Sequence, residues 1–268
     1  MSIDVSLVVT DLDGTLWHTD DDVAPSVVAA VRALEARGVP VLVATGRRLA
    51  STRAPLARVG LEPPAVVLNG ALGIDLATGT RFHRAPYPTD EAVAVLAGFR
   101  SAGLDPVVYL DHPTLDAVLS ATPSTHPEHV RQLGAPAADL DAVVAEEAVL
   151  GFSVIGVEHG RCVAARDAIG DRAETHLDRS IEFAGYATLT VAPLGQSKWD
   201  GVLAYCAAEA LDPARVLAVG DGSNDVELLT GAAVALVPAV AHPDALAAAD
   251  HVIPAAADAG WTSVLDHV

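Results

Sequence analysis

Short apolar runs alternate with helix-length amphipathic stretches along the first third of the chain. Val5, Leu7, Val8 and Val9 form a β-branched run that predicts a buried strand. The run stops abruptly at Asp11-Leu12-Asp13-Gly14-Thr15. Over residues 24–38, Val27, Val28, Val31 and Leu34 recur at helical spacing, with Pro25 suited to a first turn and Gly38 to a stop. A second apolar run over 39–44 ends in Thr45-Gly46-Arg47, a helix is expected over 48–59, and a third run over 65–68 ends in Asn69-Gly70-Ala71. This β-α-β-α-β alternation predicts a parallel sheet covered on both faces.

The texture then changes. Residues 72–75 and 80–83, with Thr78-Gly79 between them, predict a hairpin, and 89–102 a helix. Short strands follow near 107–110, 117–119, 150–157 and 181–184, with helices over 138–146 and 161–176. Their short connections favour antiparallel pairing. An inserted domain is therefore expected over 86–187, between core segments 1–85 and 188–268. The parallel rhythm resumes with a helix over 198–211 and a strand over 216–219, which ends in Gly220-Asp221-Gly222-Ser223-Asn224-Asp225. A helix over 226–229, a strand over 232–237, a helix over 242–248, a strand over 251–253 and a closing helix over 258–265 complete the pattern.

Composition narrows the partners. Hydrophobic residues make up 51% of the 268 positions but aromatics only 4%, so Val, Ala and Leu must fill the core. A formal charge of -19, from 16 basic and 35 acidic residues, argues against non-specific nucleic-acid binding and against anionic membrane surfaces. Cys162 and Cys206 are isolated and imply no disulfide framework. No basic-apolar leader and no apolar run of about 18 residues is evident, so a cytoplasmic protein, monomeric or homodimeric, is expected.

Four clusters carry chemistry: Asp11 with Asp13, Thr45-Gly46-Arg47, Lys198, and Asp221 with Asn224 and Asp225. The strand-borne ones sit at predicted C-terminal edges, where open α/β sheets bind ligands. Two acids beside a glycine turn repel unless a shared proton or a cation relieves them, and a hard ion such as magnesium suits oxygen ligands. Carboxylates, a hydroxyl and an ammonium together fit phosphoryl transfer. Taken singly, each residue has a plainer role. Thr45 is a helix N-cap, Arg47 a packing or surface residue in the first turn, and Asn69 a turn former. Lys198 is a solvated helix-start residue whose charge opposes the helix dipole. Trp17 lines a pocket or packs. His126 and His129 are surface or internally satisfied histidines.

As a set, Asp11-Leu12-Asp13-Gly14-Thr15, Thr45, Lys198 and Gly220-Asp221 through Asp225 resemble, in order, the motifs of the haloacid dehalogenase superfamily of phosphohydrolases. Thr45-Gly46-Arg47, Asn69-Gly70-Ala71 and the Gly220–Asp225 stretch look most like its Cof-like, type IIB branch. The likeness covers residues 3–85 and 188–268; between them the chain matches only in the position and size of an insertion. Where that branch often has a Gly-Asn-Ala turn, this chain has Pro238-Ala239-Val240.

The resemblance implies an α/β fold: a Rossmannoid core with a parallel sheet flanked by helices, plus an inserted α/β cap domain. It implies Asp11 as nucleophile, Asp13 as acid and base, and Lys198 as charge partner. Thr45, Gly46, Asn69, Lys198 and Asn224 would be substrate-binding. Asp11, Asp13 (through its carbonyl), Asp221 and Asp225 would be metal-binding, with Mg2+ as cofactor. The expected activity is hydrolysis of small phosphorylated metabolites, sugar phosphates foremost, through an aspartyl-phosphate. A phosphomutase of the same superfamily and a non-catalytic phosphometabolite-binding module are the alternatives.

Overall fold

A computed structural model describes residues 4–18, 22–112, 115–180 and 182–268. The chain divides into two compact units, Met1–Arg84 with Ser197–Val268, and Ala85–Gln196. The first segment carries β1 (Leu7–Thr10), α1 (Pro25–Ala36), β2 (Val41–Ala44), α2 (Leu49–Arg58), β3 (Pro64–Val67), β4 (Leu72–Asp75) and β5 (Arg81–Arg84). The second unit contains α3 (Thr89–Ser101), β6 (Val107–Leu110), β7 (Ala117–Val118), α4 (Pro127–Leu133), α5 (Leu140–Glu146), β8 (Val149–Val157), α6 (His159–Ile169), β9 (Ala173–Arg179) and β10 (Ala187–Pro193). The chain ends with α7 (Lys198–Glu209), β11 (Val216–Val219), α8 (Val226–Gly231), β12 (Val234–Pro238), α9 (Pro243–Ala247) and β13 (His251–Ile253).

The first unit is built on an eight-stranded sheet in the order β13-β12-β11-β1-β2-β3-β4-β5. From β13 to β3 neighbours run parallel, and β4 and β5 are added antiparallel. β1, β2 and β11 are buried at every position, which their continuous apolar sequence requires of strands covered on both faces. The chain winds outward from β1 through β2 to β3, then returns to β11 on the other side of β1 and winds out to β13. Order therefore reverses between β1 and β11, and loops leaving two such strands diverge to open a crevice. The pairing of Thr10 with Val219 brings Asp11 and Gly220-Asp221 off the same edge.

The second unit has its own antiparallel sheet, β7-β6-β8-β10-β9, over a core that includes Phe99, Phe152, Leu96, Val154 and Leu189. Four elements differ from the sequence expectation. Residues 161–176 do not form one helix: α6 stops at Ile169, Gly170 takes a positive φ of 59°, and the chain turns back as β9. Of the strand expected over 181–184, residue 181 lies outside the described residues; 182–184 are bend and turn, with Ser180 N–H donating to the Tyr186 carbonyl at 2.9 Å. β10 pairs with both β8 and β9, so residues 188–196, expected in the core, belong to the second unit. The closing helix is a 3-10 helix, Gly260–Asp266. No helix among the described residues is long and apolar enough to cross a membrane.

α7 reaches the sheet through Gly201, which is buried. A Cβ there would stand 2.3 Å from Val66 Cγ1 and 2.9 Å from Cγ2. Val66 is β-branched and stiff, so it has little room to yield. Replacing a helix glycine by alanine gains about 1 kcal/mol in propensity, whereas overpacking costs about 1–3 kcal/mol. Gly201→Ala should therefore lower the thermal midpoint by a few degrees. A raised midpoint would show that α7 does not press on β3 as closely as this.

Candidate active site

Asp11 follows β1 directly, and its carboxylate is buried. Lys198 is the first residue of α7, and Ser197 and Asp200 fix its direction through a capping box: Asp200 N–H donates to Ser197 Oγ at 3.3 Å, and Ser197 N–H donates to Asp200 Oδ2 at 2.9 Å. The Lys198 ammonium is 1% exposed and donates to Asp11 Oδ1 at 2.8 Å and to Asp225 Oδ1 at 2.7 Å. Asp225 Oδ2 takes the backbone N–H groups of Asp221 at 3.0 Å and Gly222 at 2.8 Å, so that one side chain shapes the loop after β11 and anchors the lysine. Lys198 is thus no solvated helix-start residue.

Gly14 turns the chain with φ of 77°, and a Cβ there would lie 2.4 Å from Asp221 Oδ2, so only glycine lets the two loops meet. Thr15 Oγ1 donates to Asp221 Oδ1 at 2.5 Å. Asp11, Asp221 and Asp225 each offer an oxygen within 4.8 Å of the others. The Asp13 carboxylate lies outside that cluster and faces Arg47 and Trp17. Arg47 Nε and Nη2 donate to its Oδ2 and Oδ1, both at 2.6 Å, and Trp17 Nε1 donates to Oδ1 at 3.0 Å.

The remaining expected residues also meet in this unit. Thr45 is buried at the end of β2, and its Oγ1 accepts the Arg47 N–H at 3.2 Å in a local turn. It does not cap α2, which begins at Leu49 behind Arg48. Asn69 adopts a left-handed conformation at φ 53°, where asparagine is at home, and its N–H donates to the Thr45 carbonyl at 3.1 Å. Asn224 Nδ2 donates to Asn69 Oδ1 at 2.8 Å, and a Cβ on Gly46 would lie 3.0 Å from that same oxygen. His126 Nδ1 accepts the Glu128 N–H at 3.3 Å at the start of α4, and His129 Nδ1 meets Glu182 Oε2 at 3.0 Å. Sequence reasoning did not anticipate Thr15, or Arg47 and Trp17 as partners of Asp13. Their signal was position: Thr15 closes the acidic motif, and Arg47 leaves a strand end.

The chain matches a family of haloacid dehalogenase-like hydrolases over residues 8–265. It belongs to that family. It is 26% identical to a phosphoglycolate phosphatase of Methanopyrus kandleri over 260 residues, 93% of this chain and 91% of that one. It is 23% identical over 234 residues to the pyridoxal phosphate phosphatase YbhA of Escherichia coli, 84% of this chain and 85% of that one. The fold is that of the HAD subclass IIB sugar phosphatase BT4131, with a TM-score of 0.77 over 98% of each chain at 19% identity. This hydrolase is a phosphatase of the haloacid dehalogenase type.

The electrostatics of the hydrolase site follow from burial. Burial pushes Asp11 well above the ordinary carboxylate range; Lys198 opposes this, while Asp225, Asp221 and Asp13 add to it. Burial likewise pushes Asp221 up to about 7, against the Thr15 hydrogen bond and with help from Asp225. Burial alone would pull the Lys198 ammonium down, but Asp11 and Asp225 more than reverse it and hold it protonated. One ammonium faces three acids, Asp11 and Asp225 buried and Asp221 half-buried, so once ionised they outnumber it. Asp225 has committed both oxygens, whereas among the described residues Asp11 Oδ2 and Asp221 Oδ2 accept from no protein donor. Two unclaimed carboxylate oxygens in an over-negative crevice fit a divalent cation; Asp225 fits an orienting role better than a ligand's.

Between the unfolded value of 3.8 and about 7, the folded hydrolase keeps a proton on Asp221 that the unfolded chain has lost. Folding stability should therefore fall as pH rises through that window. A divalent cation relieves the repulsion only once the proton is gone. It should raise the thermal midpoint more at about pH 8 than at about pH 5. Equal shifts at both would show that the ion binds elsewhere.

Proposed function

We propose that this phosphatase hydrolyses small phosphate monoesters, sugar phosphates foremost, with magnesium and through an aspartyl-phosphate on Asp11. The observation that carries the proposal is the bridge of Lys198 between Asp11 and Asp225, beside Asp221. It leaves Asp11 with one oxygen that accepts from no protein donor and a cation on the other. The named relatives act on phosphoglycolate, pyridoxal phosphate and sugar phosphates, all of them small monoesters.

Magnesium would be held by Asp11, Asp221 and the Asp13 carbonyl, and when bound it lets an anionic nucleophile approach an anionic phosphoryl group. One oxygen of Asp11 attacks phosphorus, and the P–O bond to the leaving group breaks. Asp13 protonates the departing oxygen, then accepts a proton from the water that cleaves the Asp11–P bond and releases inorganic phosphate. Lys198 offsets charge on the nucleophile and on the phosphoryl oxygens throughout. The Thr45 hydroxyl donates to a phosphoryl oxygen, and the Gly46, Asn69 and Asn224 group borders the ester side. Family resemblance and burial of Thr45 support these last roles.

Phosphate release should be measured on sugar phosphates, phosphoglycolate and pyridoxal phosphate, with magnesium and with a chelator. Turnover with magnesium, and its loss on chelation, are expected. Asp11→Asn should lower turnover by more than about a thousandfold at an unchanged fold. A fully active Asp11→Asn protein would remove the nucleophile assignment. Phosphoryl return to a sugar, seen by phosphorus NMR, would make the enzyme a mutase instead.

A further inference from the structure

Asp13 is held more tightly than a freely rotating acid. A carboxylate offers about four lone-pair directions. Arg47 Nη2 and Trp17 Nε1 take both directions on Oδ1, and Arg47 Nε takes one on Oδ2. One direction, on Oδ2, is left. The guanidinium is itself fixed: Arg47 Nη1 donates to the Ser51 carbonyl at 3.2 Å, and its carbon lies 5.1 Å from the centre of the Trp17 ring. Trp17 is 2% exposed and cannot swing away. The side chains of Arg47 and Asp13 are 23% and 31% exposed, and an ion pair so placed adds only about 0–1 kcal/mol to stability. What a bidentate fork supplies instead is orientation.

We propose that Arg47, backed by Trp17, is the positioning residue for proton transfer to the leaving group, turning Asp13 so that Oδ2 alone meets the ester oxygen. The inference rests on the phosphatase reading above and adds the element that aims its acid. In the step, the bond from Asp11 to phosphorus forms as the ester P–O bond breaks. The departing oxygen takes the proton of Asp13 Oδ2 and leaves as an alcohol. Water later returns a proton to the same oxygen as the Asp11–P bond is cleaved. Arg47 keeps its charge and its protons throughout.

The test compares two substrates. An alkyl ester such as a sugar phosphate needs a proton on its leaving oxygen; a dinitrophenyl phosphate does not. The ratio kcat/KM reports only the steps through departure of the leaving group, so the shared second half of the cycle drops out. Arg47→Ala should lower kcat/KM for the sugar phosphate by about tenfold or more, and for the dinitrophenyl ester by less than about threefold. Arg47→Lys keeps the charge but not the fork and should show the same split, which also covers the case of a poorly folding alanine variant. Equal losses on both substrates, no loss on the sugar phosphate, or full rescue by lysine would overturn the inference. Asp11→Asn, assayed beside them, should be inactive on both esters. If it is active, the phosphatase reading fails whatever Arg47 does.

Discussion

A buried ammonium gripped by two carboxylates holds the first unit's site together. Lys198 begins α7, Asp11 leaves β1 and Asp225 closes the loop after β11, so three remote stretches share one set of hydrogen bonds. The arrangement is not a bargain in stability. Desolvating each ion costs several kcal/mol, and a cation at a helix N-terminus loses a further 0.3–1 kcal/mol or so. Two charge-assisted hydrogen bonds return about 1.5–3 kcal/mol each. The hydrogen bonds do not offset that cost in full, and what the bridge supplies is geometry. The lysine fixes one oxygen of Asp11 and, through Asp225, the backbone of Asp221 and Gly222.

Topology makes that convergence possible. β1 lies where the winding of the sheet reverses, and its register with β11 delivers Asp11 and Asp221 to the same edge. Gly14 then lets the two loops touch, and Thr15 ties the second acid down. The crowded acids resist ionising together, because burial and mutual repulsion raise Asp11 and Asp221 alike. A site with more acids than bases is poorly suited to an anionic ester until a cation enters it. That need links the fold to the chemistry.

Much of this was legible in the sequence, for a reason. Buried parallel strands are continuous apolar runs, so their ends are marked, and polar residues at those ends share an edge. Asp11, Asp13, Thr45 and Asp221 were placed that way, and motif order added Lys198. Side-chain trajectories were not legible. Arg47 in isolation suits a helix surface, and nothing local reveals that α2 starts later and frees the guanidinium to reach Asp13. The second unit was harder still. β9 lies at a sheet edge and is half-buried at most positions, so its sequence lacks the apolar signature and merges with the preceding helix. Only Gly170 marks the break.

The account stands on Asp11 and Asp221 gripping one divalent ion. Crystals soaked in manganese, a magnesium surrogate with a usable anomalous signal, test this most directly. A single anomalous peak is expected within about 2.1 Å of an oxygen of each of these two residues. A peak that touches only one of them, or none in this crevice while manganese sustains turnover, would contradict the account.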